Sequence, residues 1–142
     1  MIPCSNRIQE ILEWVNGECI ADIGCDHAYV VCNAILNHQS KKGYACDVAQ
    51  GPLDNAKKTI EENHLSDLVS CRLLDGIQGL NEDVDQIIIC GMGSKLIIDI
   101  LSKGNLHIGL RFLLSSHKDD FILREYLRDH NIHIVREKMI YD

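Results

Sequence analysis

Four short stretches of the chain combine glycine with acidic or sulfur-bearing residues, and these are the places where binding chemistry is expected. The first reads Asp22-Ile23-Gly24-Cys25-Asp26-His27-Ala28-Tyr29. Gly24 permits a tight turn and lets a ligand approach the backbone, which suits a nucleotide-type loop opened by Asp22. The G-x-G-x-x-G dinucleotide fingerprint is absent, because its second and third glycines are missing. A pyrophosphate needs unshielded backbone N–H groups, and Asp26 would repel it. The stretch therefore argues for a ligand without phosphate. The competing reading makes Asp22 and Asp26 helix-capping residues.

The second stretch begins at Asp47, followed by Val48, 25 residues after Asp22. That offset approximates the ~20 residues at which an acidic side chain accepts hydrogen bonds from ribose hydroxyls. The third is Asp75-Gly76, where a carboxylate could accept from an exocyclic purine amine; an ordinary Asp-Gly turn is the alternative. The fourth is Cys90-Gly91-Met92-Gly93-Ser94, whose glycines mark either a close ligand approach or a plain strand-to-helix turn. His27 is the titratable residue nearest these loops, and the other six histidines fall in loops or at element ends. Cys25, His27, Cys32, Cys46 and Cys90 raise a zinc reading, but their spacing matches no familiar zinc pattern, and no metal is expected.

The elements that must position these residues follow from periodicity. Ile8, Ile11, Leu12 and Val15 recur at helical spacing, predicting a helix over 5–15 capped by Ser5. Strands are predicted over 19–23, 43–46, 68–74, 85–90, 111–115 and 133–139. Helices are predicted over 28–37, over 51–63, from Ser94 as a cap, and from Asp119 or Asp120. Residues 87–89, three isoleucines, mark a buried central strand. Six strands alternating with about five helices imply an α/β fold, a mainly parallel sheet with helices on both faces. Such sheets bind ligands beyond the carboxyl ends of their strands, which is where all four stretches fall.

The whole chain has 142 residues, enough for one domain. Its 46% hydrophobic and 25% charged residues are a globular balance. No apolar run reaches the ~18–20 residues of a membrane span, and the N-terminus lacks a signal peptide's apolar core. The net charge of −7 argues against a simple basic protein that coats nucleic acid. Any nucleic-acid face must gather local cations from Arg7, Lys41, Lys42, Lys57, Lys58, Lys95 and Arg111. Of these, Arg7 and Lys95 lie closest in sequence to the proposed site. Seven cysteines, an odd number with no C-x-x-C pair, read as reduced thiols of a cytoplasmic protein.

With these stretches in hand, the chain resembles the bacterial tRNA (adenine(22)-N1)-methyltransferases. The resemblance rests on Asp22-Ile23-Gly24-Cys25-Asp26-His27-Ala28-Tyr29, on Gly51-Pro52 after an acidic strand end, on Ile89-Cys90-Gly91-Met92-Gly93, and on the opening Ser5-Asn6-Arg7-Ile8. It implies a Rossmann-like class I methyltransferase domain over 1–142, using S-adenosylmethionine to methylate N1 of adenine 22 in tRNA. It further implies cofactor contacts at Asp22, Gly24, Cys25, Asp47, Val48, Asp75, Gly76, Cys90 and Gly91. Asp26, His27, Met92 and Gly93 would border the methyl group and the target base, with Arg7 and Lys95 toward the tRNA.

The family usually reads Gly-Met-Gly-Gly where this chain has Ser94, and Gln-Pro-Asn where it has Ser115-Ser116-His117. It also continues with a seventh strand and a helical C-terminal domain, both expected to be missing here. A monomer or homodimer is expected. The rival expectations are a module that binds S-adenosylmethionine or RNA without turnover, and a nicotinamide-dependent oxidoreductase, against which the absent fingerprint speaks.

Overall fold

Ile87, Ile88 and Ile89 sit at the centre of a five-stranded sheet, each at most 2% exposed. The computed structural model describes residues 1–80, 83–104, 106–107, 109–117 and 120–140. In chain order its elements are α1 (Asn6–Leu12), β1 (Cys19–Ile23), α2 (Tyr29–Leu36), β2 (Lys42–Asp47), α3 (Gln50–Glu62) and β3 (Val69–Leu73). These are followed by β4 (Gln86–Met92), α4 (Ser94–Ser102), β5 (Arg111–Ser116) and α5 (Asp120–Asp129). All neighbouring strands are parallel, in the order β3-β2-β1-β4-β5.

That order explains the two cores. Side chains alternate across a strand, so each strand feeds both faces. Ile20, Ala45, Val69 and Ile88 point toward α1, α2 and α3, where Leu12, Val31, Leu53 and Ile60 meet them. Ala21, Ile23, Ile87 and Ile89 point toward α4 and α5, where Ile97, Leu101, Leu123 and Leu127 complete the second core. The chain leaves β1 toward β2 on one side and returns to β4 on the other. The switch in strand order therefore falls between β1 and β4, which opens a crevice at their carboxyl ends.

The structure corrects several expectations. Residues 133–139, expected as a sixth strand, form none; Val135 is 90% exposed and Met139 is 70% exposed. Alternating apolar residues become a strand only when a neighbour pairs with them and a face is covered. Helix α1 stops at Leu12 rather than Val15, although a turn (Val15 N–H to Leu12 O, 3.2 Å) still buries Val15. Ser5 caps it as expected, its side chain accepting from the Ile8 N–H at 3.2 Å. Ser94 is not a cap: Gly93 takes that place, and Ser94 is the first helical residue of α4. Strand β4 runs two residues past Cys90. Asp120 opens α5, and Asp119 lies outside the described residues.

Candidate functional site

The loop after β1 is built from left-handed turns. Gly24 (φ +72°), Asp26 (φ +47°) and Ala28 (φ +60°) alternate with ordinary residues, which coils the backbone tightly ahead of α2. The Gly24 and Cys25 N–H groups both donate to Cys46 O, at 2.9 and 3.0 Å, and the Ala28 N–H donates to Cys25 O at 2.7 Å. The loop is thereby tied to the end of β2. Its outer rim carries Asp26 and His27, whose side chains are 70% and 46% exposed; their carboxylate and Nε2 are 3.9 Å apart. The His27 ring stacks on Tyr29 at 5.3 Å, a partner the sequence reading quoted but did not single out.

Asp22 lies beneath this loop rather than in it. Only 4% exposed, it faces the α2 side and accepts from the Val31 backbone N–H in the first turn of α2. Its Oδ2 is buried without a hydrogen-bond partner. Burial, opposed by the Val31 bond and reinforced by Asp47, raises its pKa from 3.8 to about 7. Asp22 thus caps α2 and also stands close enough to Asp47 to feel its charge. Asp26 makes no such cap, since Ala28 takes the N-cap position of α2.

At the end of β2, Asp47 Oδ1 accepts from the Ala49 N–H at 3.1 Å, and Asp47 O accepts from the Leu74 N–H at 2.9 Å. Val48 is 68% exposed and Leu73, at the neighbouring end of β3, is 58% exposed. Leu73 is paired with Asp47, and Val48 is the next residue on, so both exposed apolar side chains flank the end of β2. Leu73 was not among the sequence candidates; its exposure emerges only once β3 is set beside β2. Asp75, also exposed, lies on the turn that presses Gly76 (φ +65°) toward Ile100 of α4. Its charge reaches Lys103 of α4, and its neighbour Leu74 donates its N–H to Asp47 O, so Asp75 stands at the next strand end beside Asp47.

At the exit of β4, Gly91 (φ +76°) is an extra residue: Cys90 pairs with Ser115, and Met92, two residues on, pairs with Ser116. This bulge re-aims the following side chain. Ile88 and Cys90 face α1–α3, whereas Met92 faces the α4–α5 side with Ile87 and Ile89. Met92 then reaches the first loop, with its Cε where a Cβ on Gly24 would stand. Ser94 Oγ and Ser116 Oγ are 2.7 Å apart, and Arg7 Nη2 donates to Ser115 Oγ at 3.2 Å.

The thiols are poor nucleophiles here. Burial pushes Cys46 up to about 12 and Cys25 and Cys90 higher still, so they stay protonated. Among the described residues no group of three or more His, Cys, Asp or Glu side chains is arranged to hold a metal. The cations divide by position. Arg7 and Lys95 stand at the carboxyl-end side of the sheet. Lys42 and Arg111 start their strands at the opposite end, where Lys42 pairs with Asp83 (2.9 Å) and Arg111 with Asp85 (3.9 Å). Lys41 pairs there with Glu18, and Lys58 pairs with Glu62 along α3.

A five-stranded parallel sheet in this order, with a glycine turn after β1 and an acidic residue at the end of β2, defines a Rossmann-like fold, and the similarities that follow make it a methyltransferase domain. Residues 4–142 match the family model described as a methyltransferase domain. A Bacillus subtilis protein named tRNA (adenine(22)-N(1))-methyltransferase is 39% identical over 105 residues, 72% of this chain and 44% of its own. Mycoplasma capricolum TrmK, solved with S-adenosyl-homocysteine, superposes with a TM-score of 0.88 at 33% identity, covering 98% of this chain and 63% of that one. Streptococcus pneumoniae Sp1610, solved with S-adenosyl-L-methionine, gives 0.92 at 30% identity, covering 99% and 68%. The chain belongs to the methyltransferase-domain family, in the branch that holds the tRNA (adenine(22)-N1)-methyltransferases. It spans less than half of the Bacillus protein and about two thirds of the two solved chains.

Proposed function

We propose that this chain transfers a methyl group from S-adenosylmethionine to N1 of adenine 22 in tRNA. The observation that carries the reading is the meeting of Gly24 and Met92 across the β1/β4 switch point. It joins a loop open to a cofactor with a strand exit open to a base.

The residues present fit the cofactor. Gly24 (φ +72°) turns the backbone tightly beneath the loop rim with Met92 against it, and Asp47 stands at the strand end suited to ribose hydroxyls. Val48, exposed beside Asp47, offers apolar contact for an adenine ring, and the buried Asp22 oxygen adds negative potential for a cationic ligand. Cys25, Cys90 and Gly91 line the backbone between these groups. Asp75 and Gly76 follow Leu74, which is bonded to Asp47, and complete the cofactor side at the end of β3.

When bound, S-adenosylmethionine supplies a sulfonium-activated methyl group, so the protein's task is chiefly to position. Adenine N1 attacks with its own lone pair and needs no base beforehand. Asp26, exposed at the rim, stabilises the positive charge that appears on the ring. His27, held by Tyr29, orients the base or accepts a proton from N6 afterwards. Arg7 and Lys95 meet the tRNA backbone, and Met92 with Gly93 borders the base. The target adenine must leave its stack, at a cost of a few kcal/mol. The seven free thiols support a reducing, cytoplasmic setting, and a monomer or homodimer is the working state.

The decisive experiment incubates the chain with unmodified tRNA and S-adenosylmethionine and maps the product by primer extension. An arrest at adenine 22 is expected. Tight S-adenosylhomocysteine binding with no arrest would leave a binding module without turnover.

A further inference from the structure

Ser115 and Ser116 are consecutive residues of β5 with opposite orientations. Leu113 packs toward the α1–α3 core, so Ser115, two residues on, faces α1; Phe112 and Leu114 pack toward α4–α5, so Ser116 faces α4. Each hydroxyl has a partner on its own face. Arg7 Nη2 of α1 donates to Ser115 Oγ at 3.2 Å, and Ser94 Oγ of α4 lies 2.7 Å from Ser116 Oγ. Ser94 is wholly buried, so its hydroxyl serves an internal contact rather than a ligand. Directly after the pair, the His117 N–H donates to Met92 O at 3.3 Å.

Among the described residues β5 pairs with β4. The Gly91 bulge shifts the β4–β5 register between Cys90 and Met92, and the pairing resumes at Met92 and Ser116. Where a bulge shifts the register, side-chain ties on both faces add to the backbone pairing in setting where the end of the strand points.

We propose that Arg7–Ser115 and Ser94–Ser116 form a two-sided clamp that fixes the exit of β5 as the substrate wall of the site. Ser94, Ser115 and Ser116 are positioning residues in this arrangement, acting through Arg7, Met92 and His117. The substrate part rests on the methyl-transfer reading above. The clamp itself rests only on the geometry.

The test compares the wild-type chain with Ser116→Ala, Ser115→Ala and Ser116→Thr, which keeps an Oγ. Amide hydrogen exchange at His117 should accelerate about fivefold in either alanine variant, the loss expected for one hydrogen bond, with β1 and β2 amides unchanged. The kcat/KM for tRNA should fall by about the same factor or more, with S-adenosylhomocysteine affinity held within about twofold. Ser116→Thr should recover both. Unchanged protection at His117 in both alanine variants overturns the clamp. An equal loss of S-adenosylhomocysteine affinity overturns the positioning role, since it signals general damage. A wild-type chain that binds S-adenosylhomocysteine yet methylates no tRNA overturns the functional reading and the substrate part with it; the exchange result then decides the clamp alone.

Discussion

A Cβ placed on Gly24 would lie 2.3 Å from Cε of Met92, so the loop after β1 and the exit of β4 touch through the tip of one thioether. The contact depends on the Gly91 bulge, which turns Met92 away from the face that Ile88 and Cys90 share. The cofactor side and the base side of the candidate site meet at this point.

Gly24→Ala tests that meeting. Met92 is flexible and its end can move aside, so the steric conflict is relieved cheaply. The φ of +72° cannot be relieved and disfavours a non-glycine residue by about 1 kcal/mol. The variant should unfold a few degrees earlier, and S-adenosylhomocysteine affinity measured calorimetrically should fall by more than tenfold. Adding Met92→Ala should not restore that affinity, because the strained backbone remains. Full recovery in the double variant would assign the defect to the thioether alone.

Asp22 makes stability depend on pH in an unusual direction for a carboxylate. Its pKa is about 7 folded against 3.8 for an ordinary aspartate, so the folded state holds the proton more tightly. The contribution is fully present below about pH 4 and is lost as pH rises toward 7. Asp22→Asn keeps an oxygen for the Val31 N–H and removes the buried charge. By urea unfolding it should be more stable than wild type at pH 8 by about 1 kcal/mol or more, since each unit of displacement is worth about 1.4 kcal/mol. The gap should close at pH 4. An equal difference at both pH values would show that charge burial is not the cause.

The strands carrying the site were legible because buried parallel strands read as apolar runs: 19–23 was recovered as it stands, and the others shifted by one or two residues. The four loops followed from their glycines and aspartates. What stayed hidden was non-local. Ser94 looks like a helix cap from its neighbours, but its hydroxyl is engaged by Ser116, 22 residues away. Val135 and Ile134 read as strand, but no neighbour pairs with them. The seating of Asp22 under α2 and the pairing of Leu73 with Asp47 depend on tertiary packing and strand order, which no single stretch encodes.

The division of cations predicts which of them serve nucleic acid. Arg7→Ala should weaken tRNA binding several-fold and lower the slope of log K against log salt by about one unit, as for one lost phosphate contact. Lys42→Ala removes a cation from the opposite end of the strands, where Asp83 already engages it, and should leave tRNA affinity and salt slope unchanged. Filter binding across a salt series separates the two. A larger effect from Lys42 would place the tRNA on the amino-end side of the sheet.

Residues 133–140 run from the α5 side to the α1 side without forming a strand. Glu137 accepts from Arg124 Nε at 2.6 Å, Lys138 pairs with Glu10 on α1, the Arg136 guanidinium lies 4.7 Å from the Trp14 ring centroid, and Ile140 touches the α1–α3 core. Three polar ties on exposed or half-buried side chains are weak individually and are screened by salt, whose Debye length shrinks to about 3 Å at 1 M. Trp14 is the chain's sole tryptophan, so its emission reports the segment directly. Raising salt to 1 M should change the Trp14 emission as the segment lifts, and Arg136→Ala should produce the same change at low salt. The Arg136→Ala loss of stability should be about 0.5–1 kcal/mol, the size of an exposed cation–π contact. Emission identical in wild type and Arg136→Ala would mean that the guanidinium does not rest on the indole in solution.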